Sequence, residues 1–246
     1  MKHSVRGALA AAFILGMCAL CVRLGFWQLD RLEQRRARNA SLVEKTALPP
    51  VTLDAAAADS IRRDPARFVN RRVRVRGTYL PAGEVVLRGR AQDGNPGVHL
   101  VTPMRVAGAP ALVMVNRGWV PSPDAATVDP RPYAEPGERT IEGLLQDVPV
   151  TGDGGTPAKM AGAGARTTYR RLDRATLARN LGRPVLPLYV QELPPDTRST
   201  PPFRVPAPEL SEGPHLGYAI QWFSFAAIGV GGLAILLFRE RRKRAE

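Results

Sequence analysis

Apolar residues gather in two terminal blocks, and hydrophobic and polar positions alternate over short stretches between them. Residues 8–22 form an unbroken apolar run that continues past Arg23 through Leu24, Gly25, Phe26 and Trp27. Read as one helix, residues 8–29 extend about 33 Å at about 1.5 Å per residue. That is enough to cross a hydrocarbon core of about 30 Å, with Arg23 near an end where a long side chain can reach the headgroups. The second block, residues 217–238, carries no formal charge and is followed at once by Arg239, Glu240, Arg241, Arg242, Lys243 and Arg244. A cleaved secretory signal is the rival reading of the first block, but no small-x-small site follows it, and an uncleaved anchor is preferred.

The middle reads mainly as strands. Residues 72–79 alternate with period two, burying Val73 and Val75 and exposing Arg72, Arg74 and Arg76. Further strands are predicted over 85–87, 98–106, 112–120, 139–145 and 185–193, the last an edge or bulged strand because of Pro187. Helical segments are predicted over 55–63 and 173–181, the latter with Asp173 as N-cap and Gly182 closing it. The charged stretch 30–46 continues the first apolar helix until Pro49-Pro50 stops it. Residues 121–136, 151–164 and 194–208 read as long loops rich in Pro or in Gly and Ala. The expected fold class is a membrane protein with two transmembrane α-helices flanking a mainly antiparallel β domain, α+β overall. A barrel and a sandwich both remain open for that domain. The expected divisions are 1–29 (first helix with a short cytoplasmic start), 30–212 (extracytoplasmic domain), 213–238 (second helix) and 239–246 (basic cytoplasmic tail).

Charge fixes the expected orientation. The basic residues beyond Phe238, with Lys2 and Arg6, place both termini in the cytoplasm, and a loop of this length translocates largely regardless of its own charge. The expected location is therefore the inner (plasma) membrane, with the large domain outside the cytoplasm. Trp27, Tyr218 and Trp222 fall where aromatic rings favour the bilayer interface. The formal net charge of +13 is carried mostly by arginine; the only lysines are Lys2, Lys45, Lys159 and Lys243. These cations are dispersed and alternate along strands, so nucleic acid is not an expected partner. A solvated surface near anionic lipid is.

Catalytic and metal chemistry find little purchase. Both cysteines, Cys18 and Cys21, lie inside the first apolar block, which excludes a disulfide framework and leaves them as small membrane-facing thiols. The middle contains one histidine, His99, which as a strand residue reads as a packed side chain. A Ser–Lys pair would have to draw on Lys45 or Lys159. No enzyme is expected. In the second helix, Ala227 and Gly231 are small residues four apart, and the expected neighbour there is the first helix or a helix of another protein. The one constellation left is His215, Tyr218, Trp222 and Phe225, spaced along one helical face at the mouth of the second helix. Imidazole is a common axial ligand of haem iron, and aromatic rings near basic groups suit a porphyrin with anionic propionates. Equally, Tyr218 and Trp222 serve as interfacial anchors, with His215 making a local hydrogen bond.

The chain resembles the Surfeit locus protein 1 family. The resemblance is carried by Leu24-Gly25-Phe26-Trp27-Gln28-Leu29-Asp30-Arg31 at the exit of the first helix. It continues through Arg74-Val-Arg-Gly-Thr-Tyr79, Gly97-Val-His-Leu-Val-Thr-Pro103, Val115-Asn-Arg117-Gly118-Trp119-Val-Pro121 and Glu142-Gly143. It closes with His215-Leu-Gly-Tyr-Ala-Ile-Gln-Trp222. Residues 149–165 and 194–208 match poorly. The resemblance implies a membrane-anchored factor for assembly of cytochrome c oxidase, handling haem a on its way to the catalytic subunit, with the haem a synthesis machinery as a further partner. A scaffold that binds no haem is the alternative. His215 matches the histidine implicated as haem ligand, so His215, Tyr218 and Trp222 are the implied cofactor-binding residues. Gly25, Trp27, Gln28, Arg31, Arg117, Gly118 and Trp119 are the other motif positions. Arg117 could pair with a propionate, although a structural ion pair is the stronger expectation.

Overall fold

The computed structural model describes residues 2–160, 162, 164–195 and 200–245. It comprises two compact units, one of residues up to Val43 together with those from Glu209 onward, the other of Glu44–Pro208.

The first unit is a pair of long helices, α1 (Lys2–Ala47) and α5 (His215–Ala245). Both are long and apolar enough to cross a membrane. As expected, α1 runs through the charged stretch and stops before Pro49-Pro50. Most of its apolar side chains, and those of α5, face outward; Phe13 is 70% exposed and Ile228 71%. Large apolar residues displayed in this way mark a surface built for an apolar surround. The facing sides hold small residues. Cys18 and Cys21 pack with Ala226 against Ile14 and Trp222, so these thiols are buried between the helices, contrary to the membrane-facing expectation. A Cβ on Gly229 would lie 2.6 Å from Cys18 Sγ, and one on Gly25 would lie 2.5 Å from the Phe223 ring. Close approach at these two glycines is what lets Phe26 meet Phe223 edge-on, with centroids 5.3 Å apart. Ala227 and Gly231 are exposed on another face of α5, so they do not mediate contact with the first helix. The reason is angular: neighbouring helical residues point about 100° apart.

Among the described residues, the second unit contains nine strands: β1 (Val51–Thr52), β2 (Arg72–Tyr79), β3 (Val85–Gln92), β4 (Asn95–Val106), β5 (Leu112–Pro121), β6 (Glu138–Asp147), β7 (Thr156–Met160), β8 (Gly164–Tyr169) and β9 (Leu188–Glu192). Their order is β1-β2-β6-β9-β5-β4-β3-β8-β7, with a further pairing of β2 to β4. That pairing (Gly77↔Val106, Thr78↔Arg105, Tyr79↔Met104) closes β2, β6, β9, β5 and β4 into a barrel. It resolves the choice between barrel and sandwich. Most ladders are antiparallel; β1–β2, β3–β8 and β5–β9 are parallel.

All five barrel strands contribute to one core through Val73, Val75, Met104, Val113, Val115, Ile141, Leu145, Leu188 and Val190. Ala58 and Ile61 of α2 (Ala55–Arg63) join it. Loss of any one of the larger of these side chains would cost about 2–5 kcal/mol. The short α3 (Pro65–Phe68) follows α2, each capped by an aspartate, Asp64 and Asp54. Beyond the barrel, β3 and β8 build a second core with α4 (Arg174–Leu181) around Leu87, Tyr169 and Leu177. The α4 caps match expectation: Asp173 accepts from the Thr176 N–H at 2.8 Å, and Gly182 adopts the left-handed conformation.

Two expectations are corrected. β9 is a central strand between β6 and β5, not an edge; Pro187 precedes its first residue, where only its carbonyl is needed, and that carbonyl accepts from the Val148 N–H at 2.9 Å. The expected loop 151–164 contains β7, which pairs with β8 from Thr156↔Thr168 to Met160↔Gly164. The hairpin is rich in small and polar residues because only its inner positions, such as Met160, are buried.

Candidate functional site

The motif residues form two groups, one in each unit. In the helical unit, Gln28 lies one turn beyond Gly25, and His215 is the first residue of α5. Their side chains meet: His215 Nδ1 lies 2.9 Å from Gln28 Oε1. The amide oxygen only accepts, so this contact favours the tautomer in which Nδ1 carries the proton and donates it. In that tautomer the lone pair is on Nε2. Beside Nε2 the chain carries Gly213, whose missing Cβ would stand 3.6 Å from that nitrogen. A larger residue there would crowd the one imidazole atom able to act as a ligand.

Contacts further along α1 hold this pair in register. Arg36 makes two hydrogen bonds to the Glu212 carboxylate, at 2.8 and 2.9 Å, while Arg35 and Asn39 both donate to the Ser211 carbonyl. The Arg36–Glu212 pair is exposed, so its value is geometric rather than energetic. Arg31 stacks over the Trp27 ring at 5.4 Å and donates to Gln34, leaving a cation near the exposed Trp27. Tyr218 is also exposed. Trp222 is half-buried against α1, with its ring 6.0 Å from Phe225. The four-residue face expected from spacing is thus divided. Tyr218 is open to the surround, while Trp222 spends one side on helix packing. A porphyrin fits this chemistry in one essential respect, a half-buried imidazole whose Nδ1 is engaged by Gln28, which points to Nε2 as the ligating atom.

The second group lies on β5. Arg117 is 3% exposed and its Nη1 donates to Glu84 Oε2 at 2.9 Å. It lies 5.1 Å over the Tyr79 ring and also donates to the Tyr133 carbonyl. Gly118 has φ +113°, and any Cβ there would collide with the backbone of Phe203 and Arg204. Trp119 exchanges two backbone hydrogen bonds with Phe203, each 2.8 Å, and stacks on its ring. Arg117, Gly118 and Trp119 therefore receive the segment around Phe203, and Arg117 serves a structural ion pair as the stronger expectation held.

That segment completes a buried charge network that sequence reasoning missed. Arg204, 1% exposed, bonds Glu135 and Glu192 at 2.9 Å each, and Glu192 accepts from Tyr79 Oη at 3.0 Å. Burial pushes the Glu192 carboxyl up despite Arg204 and Tyr79, and burial likewise pushes the Tyr79 phenol up. The residues come from four distant stretches of chain. Their sequence signal was no more than charged residues at inward strand positions, such as Glu192 after Leu188 and Val190.

His99 sits on β4 with Nδ1 3.1 Å from the Asn116 amide nitrogen. Its partner is an amide, not the carboxylate that orients a catalytic histidine. Burial, reinforced by the charge of Arg90, pulls its pKa from 6.5 down to about 4. A histidine whose folded pKa is depressed contributes fully above its unfolded value; that contribution is lost as pH falls through the window from 6.5 to about 4. The His99→Gln variant is expected to melt with a flatter pH dependence across that window, measured by thermal denaturation of the full chain. An unchanged slope would contradict a neutral, buried imidazole.

The fold and this arrangement define a class: a closed β barrel joined to a pair of membrane-length helices, with an imidazole where the second helix begins. A profile of the SURF1 family matches residues 15–227, and the chain belongs to that family. It is 28% identical over 243 residues to a SURF1-like protein of Monosiga brevicollis, covering 93% of this chain and 87% of that protein. An uncharacterized SURF1-like protein of Mycobacterium bovis is 30% identical over 238 residues, covering 95% and 85%. A SURF1-like protein of Drosophila melanogaster is 26% identical over 249 residues, covering 94% and 77%.

Proposed function

We propose that the protein is a membrane-anchored assembly factor for the haem–copper cytochrome c oxidase, and that it handles haem a for the catalytic subunit with His215 as the iron ligand. Membership of the SURF1 family, known generally for oxidase assembly factors, supports the first part. One observation carries the second: the 2.9 Å contact of His215 Nδ1 with Gln28 Oε1, which leaves Nε2 as the ligating atom. Metal-bound histidines commonly donate their other ring nitrogen to a fixed acceptor in this manner. Tyr218 and Trp222 offer ring faces along the same helix, and Arg31 a cation for a propionate. Bound haem a would supply the iron and its redox chemistry; the protein's part is to hold and release it.

In this reading both helices cross the inner membrane, both termini are cytoplasmic and the β unit stands on the far side. The basic residues after Phe238 support that orientation. The exposed Ala227 and Gly231 are where a helix of the oxidase would approach α5 most closely. The haem a synthesis machinery is the partner expected to supply the cofactor. The test is to purify the full chain from cells that make haem a. The reading predicts a protein with a haem a Soret band, copurifying with the oxidase catalytic subunit. A colourless protein that copurifies with that subunit would leave a scaffold in its place.

A further inference from the structure

A second site lies in the β unit, where β3 departs from regular pairing. Its ladder with β4 shifts register between Leu87 and Arg90, and Gly89 has φ +69°. Such a bulge re-aims the side chains around it. The Gly89 N–H donates to the Ala125 carbonyl at 2.7 Å, which ties the bulge to the turn at 122–127. Beside it opens a cavity of about 510 Å³ whose wall includes Arg88, Arg90 and Arg170, and one carboxylate, Asp124.

These guanidinium groups are positioned, and of the three only Arg88 is ion-paired among the described residues. Arg88 Nη2 reaches Asp153 Oδ2 at 3.3 Å, and Arg90 Nη2 donates to the Arg170 carbonyl at 2.8 Å. Among the described residues, Nη1 of Arg88 and of Arg90 has no partner, and the guanidinium of Arg170 makes neither hydrogen bond nor ion pair. The buried Nε–H groups of Arg88 and Arg90 also lack partners. The two carboxylates here already accept several hydrogen bonds each. Asp124 accepts from Ser122 Oγ, Thr127 Oγ1 and the N–H groups of Ala126 and Thr127. Asp153 accepts from the backbone N–H groups of Arg170 and Gly155 as well as from Arg88. Three cations thus share one cavity with Asp124, and the Nη1 groups of Arg88 and Arg90 and the whole Arg170 guanidinium keep their donors unspent.

We propose that Arg88, Arg90 and Arg170 form a binding site for a phosphate group, borne by a small phosphorylated molecule or by a lipid headgroup. Planar guanidinium forks match phosphate oxygens in geometry as well as charge. The anchoring contacts to Asp153 and to the Arg170 carbonyl fix two of the forks in advance, which reduces the ordering cost of binding. The site stands apart from the haem reading and is independent of it.

The test titrates the full chain, in a phosphate-free maltoside detergent, with inorganic phosphate by calorimetry. Saturable binding is expected with a Kd below about 10 mM. Arg170→Gln removes no contact of the fold, so melting should be unchanged while phosphate binding weakens about tenfold or more. Arg63→Gln, at an exposed arginine of α2, should bind as the wild type does. Glycerol 1-phosphate and a short-chain phosphatidylglycerol then distinguish the sources. Tighter binding of the monoester assigns the site to a soluble phosphorylated molecule, and tighter binding of the diester to a lipid headgroup. Absence of saturation would overturn the proposal, as would equal weakening by Arg63→Gln and Arg170→Gln, which would reduce it to the general attraction of a cationic protein.

Discussion

Replacing Arg204 with alanine is expected to destabilise the β unit by about 3–5 kcal/mol, the range for removing one partner of a buried ion pair. Arg204 is the shared partner of Glu135 and Glu192, each at 2.9 Å, and both carboxylates are buried. Its Nη1 also donates to the Arg117 carbonyl at 2.7 Å, which secures the segment that crosses Gly118 and Trp119. Truncation therefore strips Glu192 of its cation, leaves Glu135 with the longer contacts to Arg117 and Arg139 at 3.7 Å, and loosens that segment at the same point. The pH dependence has a definite sign. Burial already holds Glu192 above its ordinary value, so the folded state binds that proton more tightly than the unfolded chain. Stability from such a group declines as pH rises above about 4.5. Without Arg204 the carboxyl moves higher still, so the deficit should be smaller near pH ~5 than near pH ~8. Urea denaturation of the full chain, followed through the buried Trp119, measures both. A loss under about 1 kcal/mol, or a deficit that grows toward acid, would refute the network. Neutralising the pair together (Arg204→Met, Glu192→Gln) should recover much of the loss, because the cost lies in the buried Glu192 charge left without its cation.

Gln28→Leu is expected to weaken haem binding by about 10–100-fold, the usual effect of removing the hydrogen-bond partner of a metal-bound histidine. Leucine keeps the bulk of the side chain and removes the acceptor. His215 Nδ1 then has no fixed partner, and the imidazole is free to shift its proton to Nε2, the ligating atom. Gln28→Glu retains an acceptor at the same place and should keep the affinity. Nitrogen NMR of the haem-free chain gives a readout that does not depend on bound haem. The wild type should show a protonated Nδ1 and a bare Nε2, and Gln28→Leu a mixture of the two tautomers. Equal affinities for wild type and Gln28→Leu would leave Gln28 as a helix-packing residue only.

Much of the fold was legible wherever one local rule sufficed. The strict alternation of residues 72–79 predicted β2 with its observed bounds, and Asp173 with Gly182 fixed both ends of α4. Other features depend on partners that spacing does not reveal. β3 reads as three residues because Arg88, Gly89 and Arg90 are polar, yet the strand continues along β4 to Gln92. Pro187 looked disruptive, but it stops just short of a central strand. The face of α5 that meets α1 uses Ala226 and Gly229 rather than Ala227 and Gly231, a choice that composition alone does not make. At the candidate site, His215 and its aromatic neighbours were visible as a helical face. The contact with Gln28 was not, because 187 residues separate the two. The Arg204 network was hidden for the same reason, since its carboxylates lie on separate segments and gain meaning only when the barrel closes.

The most direct test of the central claim is a spectroscopic titration of the purified full chain with haem a, wild type against His215→Ala. A Soret band that shifts and saturates in the wild type, with the shift lost or its affinity reduced about a hundredfold in the variant, is the result expected for an axial imidazole. Identical spectra and affinities for the two proteins would contradict it.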